Sequence, residues 1–111
     1  MIDFKIPNSF KVAGHPYTIV NKRYVKDEEN EAVFGLHNAV TNEILLADEY
    51  PLGDTSHKFS DIQKLNSFWH ELFHAFNFYM NNDQDETLAQ SFANFMCEFL
   101  NTAEYDTEHE G

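Results

Sequence analysis

Hydrophobic and polar residues alternate along the first half of the chain. Residues 9–20 (SFKVAGHPYTIV) show this alternation on both sides of Gly14-His15, which predicts a β-hairpin that turns there. Its apolar positions are Phe10, Val12, Tyr17 and Ile19. The second strand can continue through Tyr24 and Val25. Residues 33–47 (VFGLHNAVTNEILLA) predict a second hairpin that turns near Thr41-Asn42, and the turn residues 50–53 close the sheet section.

The second half of the chain has a helical pattern, because no glycine or proline occurs from Asp54 to Glu110. Ser60 or Asp61 can cap a first helix. Its apolar residues recur at steps of three and four: Leu65, Phe68, Trp69, Leu72, Phe73, Phe76, Tyr79 and Met80. After a polar break at residues 81–84, a second helix begins near Asp85. Its apolar face contains Leu88, Phe92, Phe95, Met96, Phe99 and Leu100.

These elements predict an α+β fold in which a small antiparallel sheet of two hairpins packs on two helices. The chain of 111 residues has the length of a single domain. We place that domain at residues 1–101 and interpret residues 102–111 as an acidic flexible tail. The single cysteine, Cys97, excludes an internal disulfide framework. No segment predicts a membrane span or a secretory signal, so a cytoplasmic location is expected.

Charge is distributed unevenly along the chain, whose net charge is −12. Residues 1–26 contain five basic residues and one acid, a net charge of +4, whereas residues 27–111 contain two basic residues and eighteen acids, a net charge of −16. A nucleic-acid backbone would be repelled by most of this surface, so we exclude a nucleic-acid partner. The acidic surface is explained by solubility, although it also suits a basic partner or a cation.

The first predicted helix contains the sequence His70-Glu71-Leu72-Phe73-His74, an HExxH motif. Residues four apart lie on the same face of a helix, so both imidazoles can reach one zinc ion. Glu71 lies just off that face, where its carboxylate can take a proton from a water held by the metal. The alternative is that both histidines merely flank the aromatic core.

A catalytic zinc site needs a third protein ligand, and we predict Glu86 for that role. Acidic residues are also favoured in the first turn of any helix, which is the alternative explanation for Glu86. Small residues at Ala89, Ala93 and Cys97 would let the second helix approach the first closely. In a straight helical hairpin, however, Glu86 would lie level with about Phe78, roughly 6 Å along the axis from His74. The first helix must then end before Met80, or the helices must cross at an angle.

The two helical motifs resemble those of a known family. A helix with HExxH, followed by a helix that reads Glu-x-x-Ala-(Asn or Gln)-x-Phe-Ala, is similar to the ImmA/IrrE-type metallopeptidases and the small gluzincin-like proteins of bacteriophages and mobile elements. The second pattern is ETLAQSFA here, at residues 86–93. The resemblance covers roughly residues 33–100. It implies an α+β, minimal zincin-like fold, a zinc ion on His70, His74 and Glu86, and Glu71 as the general base.

The sequence therefore predicts a zinc-dependent metallopeptidase that hydrolyses peptide bonds in a peptide or protein substrate. A zinc-stabilised binding or regulatory module without turnover is the alternative. A third class, an acidic mimic of nucleic acid, is disfavoured because nine of the nineteen acids lie in a loop or near a terminus. His37 can contact a substrate if its strand borders the site, although a strand histidine more often satisfies a local bond.

Overall fold

The computed structural model describes residues 4–80 and 82–106. Within these residues, eight strands precede two helices along the chain. The elements are β1 (Ser9–Val12), β2 (His15–Lys22), β3 (Val25–Lys26), β4 (Ala32–Val33), β5 (Gly35–Asn38), β6 (Glu43–Ala47), β7 (Glu49–Leu52), β8 (Thr55–Lys58), α1 (Asp61–Tyr79) and α2 (Glu86–Thr102). The predicted α+β class is confirmed.

Both predicted hairpins are present in a four-stranded sheet. Strands β1 and β2 pair antiparallel around Ala13 and Gly14, whose φ angles of 49° and 83° place them in the left-handed region that such a turn requires. Strands β5 and β6 also pair antiparallel, and their turn includes Asn42 with φ of 55°. The alternating apolar pattern thus correctly predicted the hairpins and their approximate turns.

The two hairpins join through a parallel pairing that the sequence pattern did not predict. Strands β2 and β6 pair in parallel, with Ile19 opposite Ile44, so the strand order is β1-β2-β6-β5. Ile44 and Leu46 on β6 have no exposed surface, as expected for a central strand. This order leaves β5 at one edge of the described sheet, where it contacts α1.

Two smaller hairpins correct the predicted boundaries in this half. Strand β2 ends at Lys22, and β3 pairs with β4 instead of extending β2 through Val25. Between β3 and β4, Oδ1 of Asp27 accepts hydrogen bonds from the backbone N–H groups of Glu29 and Glu31, at 2.9 Å each, and so turns the chain back. Residues 50–53 do not close the sheet section, because β7 pairs with β8 around Gly53.

The helices begin and end close to their predicted limits. Ser60 caps α1 with a reciprocal capping box to Gln63, and Asp85 caps α2 through the backbone N–H of Leu88. The predicted tail starts one residue early, since Thr102 still belongs to α2, and residues 107–111 lie outside the described part of the chain. Among the described helices, none is long and apolar enough to cross a membrane.

The core lies between α1 and the four-stranded sheet. Its buried side chains include Val12, Tyr17, Ile44, Leu46, Leu65, Phe68 and Ala75, and Cys97 of α2 belongs to the same cluster. On the other side of α1, Ala89 and Ala93 of α2 have no exposed surface. The predicted stripe of small residues therefore does let the two helices approach closely, which brings the start of α2 beside the HExxH motif.

Candidate metal centre

The HExxH motif lies in the middle of α1, on the side that α2 covers. His70 and His74 are one helical turn apart, and their ring centroids are 5.0 Å apart. His74 is buried and His70 is half-buried. Because α1 packs on both the sheet and α2, the backbone that carries the two rings is held from both sides.

Glu86, at the first position of α2, points towards both histidines. Its Oε1 lies 2.8 Å from Nε2 of His70, and its Oε2 lies 3.1 Å from Nε2 of His74. The three predicted metal ligands thus bring one possible ligand atom each within 4.8 Å of one another. The Glu86 side chain is 79% exposed, so one side of this group is open to solvent.

The segment between the helices removes the offset that a straight helical hairpin would impose on Glu86. Helix α1 ends at Tyr79, before Met80, and residues 82–85 run back along it without helical structure. The backbone N–H of Asn82 donates to the carbonyl of Asn77, and the side chain of Gln84 bonds to His74. Two residues of the segment therefore span three residues of α1, because extended chain rises about 3.3 Å per residue and a helix about 1.5 Å.

Two glutamines bind the outer ring nitrogens of the histidines. Nδ1 of His70 donates to Oε1 of Gln90 at 2.9 Å, and Nδ1 of His74 donates to Oε1 of Gln84 at 2.6 Å. An amide oxygen only accepts, so each Nδ1 carries a hydrogen. In the neutral form of each ring, Nε2 then presents a lone pair to the Glu86 carboxylate.

This arrangement leaves hydrogen-bond acceptors facing one another unless a cation lies between them. Nε2 of His74 is buried and makes no well-aligned hydrogen bond within the described residues, although Oε2 of Glu86 is only 3.1 Å away. A proton on each imidazole or a metal ion would remove the conflict. Two imidazoles and one carboxylate are a ligand set that zinc uses in catalytic sites, so the residues fit a divalent metal.

Glu71 lies beneath edge strand β5 and is buried. Burial raises the pKa of its carboxyl group, while the charges of His70 and His74 act in the opposite direction. Gly35 of β5 covers the side chain so closely that an added Cβ would lie 3.2 Å from Cγ of Glu71. A carboxyl group with a raised pKa beside a metal-ligand cluster has the properties of a general base.

The Glu86 carboxylate behaves differently from that of Glu71. Its partial burial would raise its pKa, but the contact with His70 and the charges of His74 and His70 outweigh that effect and hold the pKa below its usual range. Glu86 therefore stays ionised, as a metal ligand must. The pKa is thus lowered for the predicted metal ligand, Glu86, and raised for the predicted base, Glu71, as these two roles require.

A cleft of about 520 Å³ opens onto this cluster. On the sheet side, its wall is formed by Tyr50 and by residues 32–36, the last two of which belong to β5. Its wall on the helical side includes His70, Glu71 and Glu86. The cleft therefore places an edge strand of the sheet directly opposite the candidate metal ligands.

The other histidines of the described residues lie outside the ligand group. His37 on β5 shares a hydrogen bond of 2.6 Å with the hydroxyl of Tyr17, and burial and the charge of His74 lower its pKa. His15 stacks on Tyr79, and His57 bonds to Gln63 near the start of α1. His109 lies outside the described residues. Cys97 is buried between the helices, as its apolar surroundings predicted.

Sequence reasoning missed two residues of the site. Gln84 stood in a polar segment that gave no periodic signal, and Gly35 stood inside a predicted strand, where a glycine can mark a close approach of the backbone to another group. Gln90 stood in the predicted second helix without an assigned role, and the structure places it on the outer nitrogen of His70.

No protein-family model, curated protein or solved structure matches this chain. The resemblance to the ImmA/IrrE-type metallopeptidases therefore rests on its motifs alone.

Proposed function

We propose that this protein is a zinc-dependent metallopeptidase whose metal is held by His70, His74 and Glu86. The observation that carries the proposal is the convergence of both Nε2 atoms on the two oxygens of one carboxylate, at 2.8 and 3.1 Å. The hydrogen bonds on both Nδ1 atoms support it, because they direct the lone pairs of the rings to the same point.

A bound zinc ion would supply a Lewis acid that lowers the pKa of water and polarises a carbonyl group. Glu71 accepts the proton of the attacking water at its carboxylate, and then donates it to the nitrogen of the leaving amine. Its raised pKa suits the first step, since a stronger base takes the proton more readily from water. The exposed side of Glu86 leaves room for the substrate to approach.

The substrate we propose is an extended peptide that lies along β5. This strand pairs with β6 on one side, and on its other side it borders the cleft. Backbone groups on a free strand edge can hydrogen-bond to a peptide, as in β-augmentation. Phe34, which is 54% exposed and packs against Tyr50, offers an apolar contact for a substrate side chain at the same cleft.

The test compares wild type with Glu71→Gln on a mixed peptide library, with zinc content measured for both proteins. We expect the variant to keep about one equivalent of zinc and to lose cleavage by at least a hundredfold, because an amide cannot accept the proton. Equal cleavage by both proteins would refute Glu71 as the base. Zinc binding by wild type without cleavage of any peptide would favour the binding or regulatory module.

A further inference from the structure

Gln84 makes two hydrogen bonds to a single residue of the HExxH helix. Its Oε1 accepts from Nδ1 of His74 at 2.6 Å, and its Nε2 donates to the backbone carbonyl of His74 at 3.0 Å. Gln84 lies in the segment 82–85 and is followed two residues later by the ligand Glu86. The Gln84 side chain thus connects segment 82–85, which leads into Glu86, to His74, which Glu86 faces.

The carbonyl bond fixes the orientation of the Gln84 amide. A backbone carbonyl only accepts, so the NH2 group must point at it, and Oε1 must then point at the ring. An oxygen at that place requires a hydrogen on Nδ1 of His74. The lone pair of the neutral ring therefore lies on Nε2, which is the buried atom that makes no well-aligned hydrogen bond within the described residues.

We propose that Gln84 is a positioning residue that holds His74 in the Nδ1–H tautomer, with Nε2 directed at the metal. This inference rests on the proposed metal site. It names a residue outside HExxH and Glu86 on which the zinc affinity of that site depends. Gln90 makes the corresponding bond to His70, but its amide is held by Asn66 and Asn94 on the helices. Gln84 differs because it also fixes the path of the chain between the helices.

The test measures zinc affinity by competition with a chromophoric chelator for four proteins: wild type, Gln84→Met, Gln84→Glu and Asp83→Asn. Methionine matches the length of glutamine but cannot accept the Nδ1 hydrogen, so Gln84→Met should bind zinc ten- to a hundredfold more weakly. Gln84→Glu keeps an acceptor at the ring but loses the bond to the carbonyl of His74, so it should bind zinc several-fold more tightly than Gln84→Met and more weakly than wild type. Asp83→Asn, in the same segment, serves as the matched control and should bind like wild type.

A second measurement on the same proteins reads the tautomer directly. Nitrogen-15 NMR of the His74 ring should show a hydrogen on Nδ1 in wild type and in Gln84→Glu, and a mixture of tautomers in Gln84→Met. Wild-type affinity in Gln84→Met, or no rescue by Gln84→Glu, would overturn the inference while leaving the metal site intact. A wild-type chain that binds no zinc would overturn the metal site and the inference together. Correct affinities without peptide cleavage would refute only the peptidase.

Discussion

Replacing Gly35 by alanine should disturb Glu71 without touching the metal ligands. The new Cβ would lie 3.2 Å from Cγ of Glu71, 3.2 Å from the backbone oxygen of Leu45 and 3.4 Å from Cδ2 of Leu46. Carbon atoms in good contact lie about 3.5–4.0 Å apart, so the distance between the new Cβ and Cγ of Glu71 must increase by about 0.5 Å. The Leu45 oxygen belongs to strand β6, which pairs on both sides, and yields little. The Glu71 side chain is therefore the group that moves.

We expect Gly35→Ala to cost about 1–3 kcal/mol in the free energy of unfolding, the usual range for overpacking. A misplacement of about 1 Å can cost a hundredfold in rate, so a shift of half that size should lower kcat by roughly tenfold. Zinc affinity should change by less than about threefold, because His70, His74 and Glu86 are not among the nearest atoms. The assays are urea denaturation, steady-state peptide cleavage and a zinc competition titration.

The matched control is Gly53→Ala, in the turn between β7 and β8. Gly53 has φ of 65° with nothing within 4 Å of an added Cβ, so alanine there costs about 1–2 kcal/mol of backbone strain without contacting the site. Its kcat should equal that of wild type. Unchanged kcat in Gly35→Ala, or an equal loss in both variants, would contradict the expectation that Gly35 positions the carboxylate proposed as the general base.

Two further predictions concern stability and helix packing. Because burial and His74 lower the pKa of His37, the unfolded chain binds more protons at this residue as the pH falls through about 6.5, and stability should fall over that interval. Urea denaturation at pH 7.5 and 5.5 should show a smaller loss for His37→Gln than for wild type, and an equal loss would contradict the assignment. Ala89→Leu should separate α2 from α1, cost about 1–3 kcal/mol and weaken zinc binding, since Ala89 has no exposed surface. Unchanged zinc affinity would show that close helix packing does not hold Glu86 in place.

Local sequence rules predicted most of the elements of this fold. Alternation around Gly14 and around Thr41-Asn42 predicted two hairpins, and the absence of glycine and proline from Asp54 to Glu110 predicted two helices. The parallel pairing of β2 with β6 was not predictable in this way, because it joins strands that are distant in sequence and leaves no local pattern. The β3–β4 hairpin was missed because its strands contain only two residues each, and the β7–β8 hairpin was missed because residues 50–53 were interpreted as a turn.

In the candidate site, too, the parts set by local sequence patterns were predictable and the parts set by distant contacts were not. HExxH fixed the relation of His70 to His74, since both lie on one helix, and the small residues of α2 indicated which face would meet them. The position of Glu86 depended on the path of the chain between the helices. That path is set by the hydrogen bonds of Asn82 and Gln84 to α1. A periodic pattern of apolar residues cannot predict such bonds. The role of Gly35 likewise appears only when β5 packs over Glu71.

The central claim is that two imidazoles and one carboxylate hold a single metal ion. Elemental analysis of the purified chain after saturation with zinc and removal of the excess tests it most directly, with His74→Ala and Glu71→Gln measured beside wild type. The account predicts one equivalent of zinc in wild type and in Glu71→Gln, and much less than one in His74→Ala. Absence of zinc from wild type, or a full equivalent in His74→Ala, would contradict it.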